Sequence, residues 1–205
     1  MRDTIIALLL NFVMLTIGTI ALLQIQRSPL KTGEKPQRVY DPAPILRVNQ
    51  LAVGCDGVFG LAPGLGWIVD IHHRAHPTSK NPDGQQGVSL GFTTHYGVMR
   101  ERFGSRIVLG CAGENIIVEA TRQFAIADIE TGIAILAPDG SERLRLAVLD
   151  VAHPCRPFTG WALGRTVESA VLKSSLQFLE GGMRGFLLGA DATGIVSEGD
   201  HVAVL

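Results

Sequence analysis

Apolar and polar positions change their period several times along the chain, and those changes mark its elements. The steadiest pattern is Arg143-Leu-Arg-Leu-Ala-Val-Leu-Asp-Val151, with Leu144, Leu146 and Val148 on one side and Arg143 and Arg145 on the other. A period of two predicts a strand buried on one face. It delivers the chain to Ala152-His-Pro-Cys-Arg-Pro157. Weaker alternation predicts strands over Ile45 to Val53 and Trp67 to His73. Short apolar runs predict others at Val88 to Phe92, Phe124 to Ala127, Gly132 to Ala137, Met183 to Leu188 and His201 to Leu205. Tyr96, Met99 and Phe103 recur at helical spacing, so a core-facing helix is expected from Thr94 to Phe103, capped by Thr93 or Thr94 and ended by Gly104. A second is expected from a Thr166 cap to Phe178, stopped at Gly181-Gly182. Gly54-Cys-Asp-Gly57, Lys80-Asn-Pro-Asp-Gly84 and Pro138-Asp-Gly140 read as turns, and Gly60 to Gly66 as a glycine and proline loop.

The N-terminal apolar run supports two readings. Ile5 to Leu23 carries no charge and is long enough to cross a bilayer as a helix. Arg27, Lys31, Lys35 and Arg38 follow it, which as an anchor would leave the rest of the chain in the cytoplasm. The other reading divides the run. Thr19 to Gln26 ends in apolar and polar alternation before the turn-rich Arg27-Ser-Pro-Leu-Lys-Thr-Gly33, as a first strand does. Residues 1–17 are then an apolar extension and residues 18–205 a single domain. A cleaved signal peptide fits less well, because Met-Arg-Asp has no net side-chain charge and no small-x-small cleavage site is evident.

Composition narrows the function classes. A chain of 205 residues with 18 basic and 19 acidic side chains has room for one core and no global field to attract nucleic acid. Its three cysteines, Cys55, Cys111 and Cys155, form no CxxC pair and suit a reducing compartment. Many short strands, two or three short helices and 24 glycines argue for a mainly β, barrel-like fold.

Candidate chemistry centres on Cys155. It follows a strand, stands between two prolines, and has His153 before it and Arg156 after it. A nearby cation and the positive end of a following helix favour thiolate, the form that attacks electrophiles, carries a persulfide or binds a soft metal. A buried, inert thiol is the plainer reading of the same residues. Asp70, His72 and His76 are close in sequence, but His-x-x-x-His spacing builds a zinc site on a helix, and here the chain reads as extended. These groups are expected to line a pocket or to be held in loop hydrogen bonds. Gly110-Cys-Ala-Gly-Glu-Asn115 is a tight glycine turn between apolar runs, able to converge backbone N–H groups on an anion or to be an ordinary loop.

The ordered set of Val69-Asp-Ile-His72, Gly113-Glu-Asn115, the strand into His153-Pro-Cys155, Gly182-Met-Arg-Gly185 and Gly194-Ile-Val-Ser-Glu-Gly-Asp200 resembles the MOSC domain, the family related to the C-terminal domain of molybdenum cofactor sulfurases. The resemblance spans roughly residues 18 to 205 and implies a MOSC-like β-barrel with Cys155 as its functional residue. That cysteine would ligate molybdenum in a bound molybdenum cofactor or carry sulfur as a persulfide. It further implies that Gly113, Glu114, Asn115, Arg184 and His72 border or bind the cofactor, and that His153 and His72 tune the sulfur or move protons. The activity implied is reduction of N-hydroxylated small molecules with a redox partner, or sulfur transfer from a cysteine desulfurase. The alternative is a non-catalytic sulfur carrier or membrane-tethered binding module. Sulfurases fuse the domain to a pyridoxal phosphate enzyme for which this chain has no room, so it is not expected to bind pyridoxal phosphate itself. Cys55 and Cys111 are expected to be structural, with Cys111 near enough to the glycine turn to serve as a resolving thiol.

Overall fold

The seam of the molecule is its first strand, β1 (Leu15–Gln26), whose twelve residues pair with three others. The computed structural model describes residues 14–164 and 167–205. After β1 come the two-residue strands β2 (Lys31–Thr32) and β3 (Val39–Tyr40), then β4 (Ile45–Val48), β5 (Gln50–Gly54), β6 (Gly57–Ala62) and β7 (Gly66–Val69). β8 (Val88–Phe92) enters helix α1 (Thr93–Phe103) without a loop, followed by β9 (Ile116–Glu119), β10 (Ile133–Leu136) and β11 (Glu142–Val151). Helices α2 (Arg156–Leu163) and α3 (Ser169–Phe178) precede β12 (Phe186–Ala190), β13 (Gly194–Ser197) and β14 (His201–Val204).

One edge of β1 carries β14 along Leu15 to Thr19 and then β4 along Leu23 to Gln26, while the other edge carries β9 along Thr19 to Leu23. This double use closes a ring. From β1 it runs through β14, β10, β11, β12, β8 and β9 back to β1, with β4 appended. Only β8 and β9 within it are parallel, joined by a crossover that contains α1. A second sheet, β13-β5-β6-β7, lies over the seam, and β6 touches both β1 and β4. Leu23, Val53, Leu90, Ile116, Ile133, Leu146 and Val202 meet in the core enclosed by the two sheets. A smaller core beneath the helices joins Tyr96, Met99 and Ile107 to Phe158, Ala162 and Leu179. The fold is therefore mainly β, a closed seven-stranded MOSC-like barrel with three short helices among the described residues.

Several elements depart from their patterns for local reasons. The apolar run from Leu15 to Leu23 is strand, not part of a membrane helix, because its backbone bonds are taken by β14 and β9. Residues 5–13 of that proposed span lie outside the described residues. Among the described residues no helix is long and apolar enough to cross a membrane. Ile45 to Val53 divides at Asn49 into strands of different sheets, and the supposed loop from Gly60 begins only after Ala62. The strand expected to reach His73 stops at Val69, where Asp70 turns the chain by accepting from the backbone of His72 at 2.7 Å. Phe124 to Ala127 gives way to a 3-10 turn at Ile126–Asp128, and the strand placed at Met183 to Leu188 is Phe186–Ala190. Helix α1 has no side-chain cap: the Thr93 hydroxyl accepts from Ala120 N–H and the Thr94 hydroxyl donates to Arg122 O. The Thr166 cap lies outside the described residues. No periodicity marked α2, which starts immediately after Cys155.

Candidate functional site

Beside the helical core opens a cleft of about 420 Å³. Residues 112–115, the end of the 110–115 turn, form its floor, and Arg184, His153, Lys31, Arg38, His72 and Lys80 are among the other residues that line it. The floor is tied to the seam strand. Gln24 Nε2 donates to Gly110 O and Gln26 Nε2 to Gly113 O, each at 2.7 Å. Gly113 has φ +96°, and a Cβ there would stand 2.7 Å from Gln26 Nε2, so only glycine suits both the backbone and the contact. Its N–H donates to Gly110 O at 3.0 Å. Asn115 is equally occupied: its N–H donates to Ser89 Oγ at 3.1 Å, its Oδ1 accepts from Ser89 N–H at 3.0 Å, and its Nδ2 donates to Asp70 Oδ2 at 3.2 Å. The turn thus shapes the cleft wall with its N–H groups at 113 and 115 already donated.

Glu114 is the buried acid of this floor. Its Oε2 accepts from the Tyr96 hydroxyl, which itself accepts from Ala112 N–H at 3.1 Å, while Oε1 has no partner. Burial pushes the Glu114 carboxyl above the usual carboxylate range, against the opposite pull of Tyr96 and Arg184. Two glycines make room for this side chain. A Cβ on Gly91 would meet Oε1 at 3.0 Å, and one on Gly185 would meet Cγ at 3.1 Å.

Arg184 connects the cleft to Cys155. Its Nη2 donates to Ala112 O at 3.2 Å, its Nη1 lies 3.4 Å from His153 O and 3.7 Å from Cys155 Sγ, and its guanidinium stacks on Phe158 at 4.2 Å. Arg184 Nε is buried with no partner. Cys155 is half-buried and occupies the N-cap of α2, so its sulfur feels the helix's positive end as well as the guanidinium. It does not itself line the cleft, although its neighbours Ala152 and His153 do. Cys111, by contrast, is buried, and desolvation pushes its thiol up to about 12. Cys55 is exposed.

The expected residues are thus partly gathered. Gly113, Glu114, Asn115, Arg184, His72 and His153 share the cleft, with Cys155 behind Arg184. Asp70, His72 and His76 do not form a ligand set, since His76 Nδ1 accepts from Thr78 N–H and, among the described residues, no three His, Cys, Asp or Glu side chains are grouped for a metal. Sequence reasoning missed the cleft's charge. Lys31, Arg38 and Lys80 join Arg184 in lining it, in a chain whose net charge is −1. It also missed Tyr40, whose hydroxyl donates to Cys111 O at 2.7 Å and whose ring packs on Phe158. The cluster of Arg27, Lys31, Lys35 and Arg38 was a signal for the first, but topogenic charge explained it equally well.

Solved structures share this fold. The YuaD protein of Bacillus subtilis matches with a TM-score of 0.56 at 13% identity, over 91% of this chain and 94% of its own. YiiM of Geobacillus stearothermophilus matches with a TM-score of 0.51 at 13% identity, over 91% of this chain and 74% of its own. At such identity the likeness is one of fold. No protein-family model matches the chain, nor does any curated protein.

Proposed function

We propose that the cleft binds molybdenum cofactor with Cys155 as its sulfur ligand, and that the loaded protein reduces N-hydroxylated small molecules with electrons from a redox partner. The observation that carries this reading is the position of Arg184, which lines a cationic cleft and places a guanidinium nitrogen 3.7 Å from Cys155 Sγ. A thiolate is a soft ligand of the kind molybdenum takes. The residues present suit the group. Arg184 Nε is a buried donor lacking an acceptor, which a polar anionic ligand would satisfy. Lys31, Arg38 and Lys80 would hold its phosphate, and the wall from Gly113 to Asn115 with Arg184 would border its heterocycle. When bound, the cofactor supplies two-electron redox chemistry at the metal. The chain's own residues neutralise the ligand's charge and position the sulfur.

A sulfur carrier is the second reading, favoured by one fact. Cys155 is half-buried outside the cleft lining, where a cysteine desulfurase could reach it. Metal analysis separates the two. Protein made in cells that synthesise the cofactor is expected to carry about one molybdenum per chain, lost in Cys155→Ser. Metal-free protein whose Cys155 accepts a persulfide from a desulfurase would establish the carrier instead.

A further inference from the structure

The two histidines that border the cleft are held very differently. His153 is 67% exposed, and its nearest acids, Asp150 at 3.5 Å and Glu180 at 3.9 Å, are themselves exposed. Neither fixes the ring. His72 instead has Nδ1 at 3.0 Å from Oδ1 of Asp70, whose side chain is fully buried. Asp70 also accepts from Gln26 N–H and His72 N–H, each at 2.7 Å, and from Asn115 Nδ2 at 3.2 Å. Asn115 can only donate there, because its Oδ1 is taken by Ser89 N–H and Oγ–H. With these donors on it Asp70 acts as an acceptor, so the hydrogen shared with His72 sits on Nδ1. Nε2 keeps its lone pair, on a ring 48% exposed in the cleft wall.

We propose that Asp70 and His72 form a proton-transfer dyad of the cleft. His72 Nε2 takes a proton from a ligand O–H, N–H or S–H, or returns one, and Asp70 is the positioning residue that sets the tautomer and faces the imidazolium. In the forward transfer the ligand bond to hydrogen breaks, its electron pair stays on the ligand atom, and the new N–H bond forms at Nε2. The charges then opposed to the ligand are the imidazolium, Lys80 on the same loop, Lys31, Arg38 and Arg184, while Glu114 is the acid of the lining. The dyad rests on the reading that this cleft takes a small ligand. It gives that ligand a chemical character: it bears an exchangeable proton, such as an N-hydroxyl O–H or a persulfide S–H, whose loss leaves an anion facing the cations of the cleft.

The test uses the full chain labelled with nitrogen-15 at histidine, and inorganic sulfate as the probe. Neutral His72 is expected to show a protonated Nδ1 and a lone-pair Nε2. The opposite tautomer overturns the dyad. Sulfate brings no proton at these pH values, so its binding should draw one onto His72. Wild-type affinity should rise roughly tenfold from about pH 8 to about pH 6, while that of His72→Gln stays within about twofold, the size of one charge-assisted hydrogen bond. A flat wild-type profile, the same rise in His72→Gln, or no sulfate binding overturns the proposal. Neither the tautomer nor the sulfate profile requires molybdenum, and metal loading is read separately by elemental analysis, so failure of the molybdenum reading and failure of the dyad remain distinguishable.

Discussion

Gly113 shows how closely the cleft floor is fitted. Its φ of +96° strains any side chain, and a Cβ 2.7 Å from Gln26 Nε2 would force that amide to shift. Gly113→Ala should therefore lose about 1–3 kcal/mol, read as a fall in the urea midpoint. Gly140 is a useful comparison, with φ +86° and open space around it. Gly140→Ala should lose less, and equal losses would show that the contact with Gln26 costs nothing. Residues of this kind were legible as turn formers, and Arg184 and Cys155 as candidate chemistry. Asp70, Tyr96 and Ser89 were not legible as a hydrogen-bonded floor. Each bonds a partner in the 110–115 turn across 16 to 45 positions of chain, and polarity alone carries no information about such a partner.

At the scale of elements, α1 is more than a core helix. The spacing of Tyr96, Met99 and Phe103 predicted its buried face, and Tyr96 and Met99 are buried. The Tyr96 hydroxyl also ties the helix to the cleft, bonding Glu114 and accepting from Ala112 N–H. Tyr96→Phe keeps the ring and leaves two buried groups short of a partner, so it should cost about 1–3 kcal/mol by chemical denaturation. A change within error would mean that water replaces the hydroxyl. The helix missed by periodicity, α2, is short and begins at Arg156-Pro157, a proline in its first turn. Eight residues give too few turns for a period to stand out, and the proline, visible in the sequence, restrains the chain beside Cys155 whether or not a helix follows.

At the scale of the whole molecule, two buried groups make stability depend on pH in opposite senses. Burial lowers the pKa of His95, so the neutral ring is favoured, and its contribution is present above the ordinary histidine value of about 6.5 and lost as pH falls below it. Burial raises that of Glu114, so the neutral acid is favoured. Its contribution is present below the ordinary value of about 4.3 and lost as pH rises toward the elevated value. Urea midpoints across this range should show Glu114→Gln gaining on wild type as pH rises, with a difference constant in pH counting against the buried acid. The alternation of Arg143 to Val151, the glycine turns and the composition determined, by themselves, a mainly β chain with a cysteine presented after a strand, because period and turn chemistry are local properties. Only the tertiary structure decided that Leu15–Gln26 is a barrel seam, that Lys31, Arg38 and Lys80 share a cleft with Arg184, and that Gln26 and Asn115 donate to Asp70. Those outcomes rest on contacts between distant parts of the chain, as where Leu15 to Thr19 of β1 pair with His201 to Val204 of β14, and no local pattern encodes a contact over that distance.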